Sequence, residues 1–163
     1  MKLLARCILT LGALCMSSIL LAQQKPVANL RFKLGDTIDA VKSAMQIDYP
    51  PEPMESIQSL PPGMQDPNKG KTVYHFRTKG IWAFFGQAGK VENIRLDAPF
   101  STPVSGVKVG DSLEKMKSVL GEPIKKPFKA FISMDAYVYA LDDTAYVTYD
   151  LNEEGVQYIF IRK

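Results

Sequence analysis

Beyond residue 15 the sequence contains no cysteine, and its 163 residues include one histidine and one tryptophan. Each scarcity removes a class of chemistry. Both cysteines, Cys7 and Cys15, lie in the opening segment, so the rest of the chain is expected to hold no disulfide, no thiol nucleophile and no thiolate metal site. His75 has no second histidine with which to share a metal and no Ser or Cys motif to activate. It reads as an ordinary strand residue between Tyr74 and Phe76. Runs of like charge are also missing, which argues against a nucleic-acid or anionic-membrane surface. No metal and no cofactor are expected.

Long apolar runs are missing as well, apart from the one at the start. Lys2 and Arg6 precede Ile8–Ala22, 15 residues interrupted only by Thr10, Ser17 and Ser18. The length is short of the roughly 20 residues that cross a bilayer as a helix. The pattern is that of a secretory signal peptide over residues 1–22, cleaved after Ala22. A lipoprotein cut before Cys15 is the less favoured reading, because Leu14 stands where Gly or Ala is wanted. Without Lys2 and Arg6 the 20 basic residues become 18 against 17 acidic ones, a balance of +1. The expected product is therefore periplasmic, nearly neutral, about 140 residues long and without a stable membrane anchor.

What is present is a self-match. Lys33-Leu34-Gly35-Asp36-Thr37-Ile38 through Met45 aligns without a gap on Lys108-Val109-Gly110-Asp111-Ser112-Leu113 through Leu120, 75 positions later. Such a match predicts one supersecondary unit used twice. Thr37 and Ser112 are suited to capping a helix, since their hydroxyls accept from amides of the first turn. Apolar residues at 38, 41, 44 and 45, and at 113, 116, 119 and 120, then mark one face of a short amphipathic helix. Gly121 and Pro123 end the second helix.

Strand patterns follow each helix: Thr72–Arg77, Ile81–Phe85 and Lys90–Leu96 in the first half, then Ala136–Leu141, Ala145–Asp150 and Val156–Arg162 in the second. Turn residues between them predict antiparallel hairpins. The fold expected is α+β: two tandem repeats, each a short helix packed on an antiparallel β-meander. The first spans residues 23–100 and the second 101–163. Residues 49–71 hold Pro50, Pro51, Pro53, Pro61, Pro62 and Pro67, too many for regular structure, and are expected to form a long loop.

Gly110-Asp111-Ser112, Met116, Leu120-Gly121 and Pro123, followed by a meander, resemble the repeat of the SmpA/OmlA (BamE) outer-membrane lipoproteins and the β-lactamase inhibitor proteins. The first copy departs from that pattern at Gln46 and Asp48, where the second has Gly121 and Pro123. The motif marks a helix and its caps, so the resemblance implies a fold and no particular binding residue. It also implies protein–protein binding in the envelope or outside the cell.

Catalytic alternatives are thin. Asp142-Asp143 and Glu153-Glu154 are carboxylate pairs, but they fall at hairpin tips where turn chemistry accounts for them. Asp150-Leu151-Asn152-Glu153-Glu154-Gly155 imitates the start of a calcium loop, yet its twelfth position is Ile161. Gly35-Asp36-Thr37 and its copy open helices, where an Asp disfavours an anion. The reading is against an enzyme.

The aromatics say more. Trp82, Phe84 and Phe85 occupy both faces of one strand, and Tyr137, Tyr139, Tyr146, Tyr149 and Tyr158 crowd the second meander. A helix covers one face of a sheet, so rings on both faces make either a two-sided core or an exposed interface. A phenol tolerates partial hydration, which favours the interface. The expected partner-binding set is Trp82, Tyr137, Tyr139 and Tyr146, with Asp142 and Asp143 in support. The leading expectation is an inhibitor that binds a secreted toxin or hydrolase, as an immunity protein does against a type VI secretion effector. A BamE-like envelope-assembly adaptor is the alternative.

Overall fold

Alternating strands dominate the computed structural model, which describes residues 27, 29–131 and 133–163. The expected signal segment, with its Ala22 cleavage point, Cys7 and Cys15, lies outside the described residues. The strands are β1 (Glu52–Pro53), β2 (Thr72–Phe76), β3 (Ile81–Phe85), β4 (Val91–Leu96), β5 (Phe128–Phe131), β6 (Met134–Ala140), β7 (Tyr146–Asn152) and β8 (Gly155–Arg162). Two helices of eight residues, α1 (Ile38–Met45) and α2 (Leu113–Leu120), accompany them. Six strands lie within one or two residues of the patterns in the sequence. The two outermost, β1 and β5, were not expected.

The architecture corrects the expectation of two helix-on-meander repeats. All eight strands join in one antiparallel sheet of order β1-β2-β3-β4-β8-β7-β6-β5, and the chain is mostly β. The join is the β4–β8 pair, which sets Asn93 against Arg162, Ile94 against Ile161, Arg95 against Phe160 and Leu96 against Ile159. A hairpin pattern declares its own partner through its turn, but the last strand of each meander has a second edge whose partner no local pattern names. The helices are also too short to roof separate units: each fully buries one side chain, Val41 in α1 and Met116 in α2.

What recurs 75 positions apart is local. Thr37 Oγ1 accepts from the Ala40 amide and Ser112 Oγ from the Lys115 amide, both at 3.2 Å. Asp36 accepts from the Lys33 amide at 2.8 Å, and Asp111 from the Lys108 amide at 3.0 Å, so each aspartate holds its own turn. Gly35 donates to Val91 O while Val91 donates to Asp36 O; Gly110 and Asp111 make the same pair of bonds with Val156. Each helix entrance is thereby tied to the start of β4 or β8.

Alternation puts Tyr74, Ala83, Ile94, Ile161, Val147 and Tyr139 in one row of the sheet, all on one face. The next row on that face is Phe76, Ile81, Leu96, Ile159, Tyr149 and Tyr137. Phe32, Leu34, Val41, Phe100, Val104, Val107 and Met116 cover these rows and complete the core. Tyr149 is fully buried, and its hydroxyl donates to Val104 O at 2.7 Å. Burial raises its pKa well above the ordinary phenol value.

A sheet face of stacked aromatics and arginines

The same alternation aims a second set of side chains at the opposite face. One row runs His75, Trp82, Arg95, Phe160, Thr148 and Val138 across β2, β3, β4, β8, β7 and β6. Its neighbour runs Val73, Phe84, Asn93, Arg162, Tyr146 and Ala140. Phe160, Val138, Thr148 and Asp150 are buried here without belonging to the main core. The large side chains around them are half-buried. Among the described residues the sheet is therefore packed on one side by helices and loops, and on the other mainly by its own rings and guanidinium groups.

Trp82 is the centre of that second layer. Its ring stacks on His75 at 3.3 Å between centroids and 17° between planes. From the other neighbouring strand, the Arg95 guanidinium carbon lies 3.9 Å from the Trp82 ring centre. Trp82 Nε1 donates to Asp97 Oδ2 at 2.9 Å, and Arg95 Nη2 donates to the same oxygen at 2.9 Å. A cation over an indole face is favourable, and the shared carboxylate fixes both partners. Further along, Arg95 reaches the Tyr158 ring at 5.1 Å and Arg162 lies 4.5 Å from the Phe160 ring.

This layer is incompletely hydrogen-bonded. His75 Nδ1, Asn93 Oδ1, Arg95 Nε, Asp150 Oδ1 and Arg162 Nε are buried atoms with no hydrogen-bond partner among the described residues. All five belong to this face. Orphaned polar atoms are rare in native interiors, and each costs stability. Titration reflects the same setting. Desolvation, helped by Arg77, lowers the pKa of His75, with Asp97 opposing. Burial raises that of Asp150 to about 6, against the pull of Arg162.

The structure divides the residue set expected from sequence. Trp82 and Tyr146 lie on this face, Tyr146 directly opposite Arg162. Tyr137 and Tyr139 point into the core, only 9% and 5% exposed, and the Tyr139 hydroxyl donates to Gly121 O at 3.2 Å. Asp142 and Asp143 lie in the β6–β7 turn, where Asp142 Oδ1 accepts from the Thr144 amide and hydroxyl at 2.7 and 2.9 Å. That amide bond is the chief reason the Asp142 pKa is lowered. His75, read from sequence as an ordinary strand residue, joins the face, as do Arg95, Phe160 and Arg162, which sequence reasoning did not single out. For the arginines a signal was available: Arg95 stands between the core residues Ile94 and Leu96, and Arg162 follows the core residue Ile161.

Among the described residues no group of three or more His, Cys, Asp or Glu could hold a metal ion. No helix among them is long and apolar enough to cross a membrane. No family model and no curated protein matches the chain. Among solved structures it is similar to a DUF4309 family protein (YjgB) from Bacillus subtilis, at 15% identity and a TM-score of 0.46 over 77% of each chain. A likeness this distant carries no function across.

Proposed function

We propose that this protein is an exported inhibitor that docks on a secreted toxin or hydrolase, in the manner of an immunity protein, through the open face of its sheet. The observation that carries the reading is the second layer itself: a half-buried stack of His75, Trp82 and Arg95, with Tyr146 on the same face. Trp, Tyr and Arg are the residues that anchor protein interfaces. Inhibition by occlusion requires shape and anchors, with no reaction centre in the inhibitor.

The test pairs the purified protein with the toxin or hydrolase encoded beside its gene, measuring complex formation, residual enzyme activity and thermal melting together. A stoichiometric complex with suppressed activity is expected. Trp82→Ala and Tyr146→Ala should each cost at least about 2 kcal/mol of binding, roughly thirtyfold in affinity. Tyr139→Ala should instead lower the melting temperature, because its ring is in the core. Normal affinity in both face variants would overturn the reading.

A further inference from the structure

Four tyrosines are buried among the described residues, and three of them donate their hydroxyl to a loop carbonyl. Tyr74 donates to Tyr49 O at 2.8 Å, Tyr139 to Gly121 O at 3.2 Å and Tyr149 to Val104 O at 2.7 Å. Tyr137 is the exception. It is only 9% exposed, and its hydroxyl has no hydrogen-bond partner among the described residues. Unlike the orphaned atoms of the open face, this oxygen is not sealed from solvent, because its end of β6 opens into a cleft of about 300 Å³. Leu113, Lys129, Asp135, Leu151 and Glu153 line the cleft with it.

The first half of the chain shows what the missing partner looks like. Val91 and Val156 make the same pair of bonds with the entrances of α1 and α2. Strand register carries that correspondence outward: Phe85 pairs with Val91 and Leu151 with Val156. One strand further, Thr72 pairs with Phe85 and Asp135 with Leu151, so that two residues on Tyr74 corresponds to Tyr137. Around Tyr74 the position is filled. Its hydroxyl has the Tyr49 carbonyl, and its ring meets the rings of Tyr49 and Phe85 edge-on, both at 5.7 Å. Around Tyr137 both are missing. Leu151 stands where Phe85 does and brings no ring. Ile124, 75 positions after Tyr49, is drawn along β6 instead: its amide donates to Val138 O and its side chain is exposed. The cleft therefore lacks one aromatic ring and one carbonyl oxygen.

We infer that this cleft binds an aromatic residue of a peptide segment, with the ring against Leu113, Leu151 and Tyr137 and the backbone carbonyl accepting from the Tyr137 hydroxyl. The donor is carried on a ring already fixed in the core, so little ordering is needed on binding. The rim selects against an anion. Lys129 is paired with Asp135 at 2.9 Å, while the exposed Glu153 carboxylate makes no ion pair among the described residues and repels a second one. The site lies on the helix side of the sheet and stands apart from the docking reading above.

The test is an amide-resolved NMR titration of the isotope-labelled protein with N-acetyl-phenylalanine amide. N-acetyl-alanine amide and N-acetyl-leucine amide keep the carbonyls and lack the ring. The phenylalanine compound should give saturable shifts centred on Leu113, Tyr137 and Leu151, and the other two should bind at least about fivefold more weakly. Tyr137→Phe keeps the buried ring, removes the donor and should weaken binding at least about fivefold. Leu151→Phe restores the ring that Phe85 supplies in the first half, and should abolish binding in a folded protein. Lys79→Gln, exposed in the turn between β2 and β3, should change affinity by less than about twofold. The proposal is overturned by no saturable shift at the cleft, by the leucine compound binding as tightly, by unchanged affinity in Tyr137→Phe, or by a folded Leu151→Phe that still binds. If Leu151→Phe does not fold, Tyr137→Phe decides alone. None of these outcomes touches the docking reading, which Trp82→Ala and Tyr146→Ala test on the other face.

Discussion

At the scale of single residues, two groups on the open face titrate in opposite senses. Asp150 is buried, and its pKa in the fold is raised from 3.8 to about 6. Between those values the native state binds more protons than the unfolded chain, so stability falls as pH rises from about 4 to about 6 and then levels off. Asp150→Asn should remove that slope and raise stability at pH 7 by about 1 kcal/mol, since a buried charge whose desolvation outweighs the pull of Arg162 is lost. Urea melts at pH 4, 5, 6 and 7 would show the slope in the parent and its absence in the variant. His75 acts the other way. Its folded pKa is lowered from 6.5, so the stability it contributes is present above that value and is lost as pH falls through the lower, folded one. An imidazolium stacked on indole quenches its emission, so Trp82 fluorescence should fall on acidification with a midpoint below 6.5 and should not do so in His75→Gln.

At the scale of elements, the short helices hold by few contacts, and those contacts can be ranked. Met116 is fully buried and Leu120 only half-buried, so Met116→Ala should cost about 2–5 kcal/mol and Leu120→Ala clearly less in denaturant melts. Periodicity marked both as helix-face residues; it could not say which one the sheet's curvature places at the centre. Gly155 is more demanding still. It has φ +107°, and a Cβ there would meet Asp111 O at 2.7 Å, where α2's entrance is bonded to Val156. Gly155→Ala should cost about 2 kcal/mol or more by breaking that tie. The six central strands were legible because alternation and turn residues are local signals. The edges were not: β1 is two residues within a proline run, and β5 is four residues with a bulge against β6. The candidate site was legible in part for the same reason. Trp82 sits in a strand whose buried positions alternate, but in β6 four consecutive buried residues hide the phase that sends Tyr137 and Tyr139 inward.

At the scale of the molecule, the β4–β8 seam makes one folding unit out of two similar stretches. Leu96 lies against Ile159 and Ile94 against Ile161, so a cut between residues 100 and 101 would leave two apolar strand edges exposed. A fragment ending at Phe100 should therefore remain unfolded by circular dichroism, and the whole protein should melt in a single transition. Two independent repeats would instead give a folded fragment.

The row of His75, Trp82, Arg95 and Phe160 is written in two instalments, three residues before position 100 and one after it. A chain stopped short of β8 holds the indole and its imidazole but lacks Phe160 and Arg162, and so carries an unfinished signature. Under the docking proposal, recognition through this face would work as a completeness check. A nascent, clipped or misfolded copy would have nothing to offer a target, and every copy able to bind would already have been folded through β8.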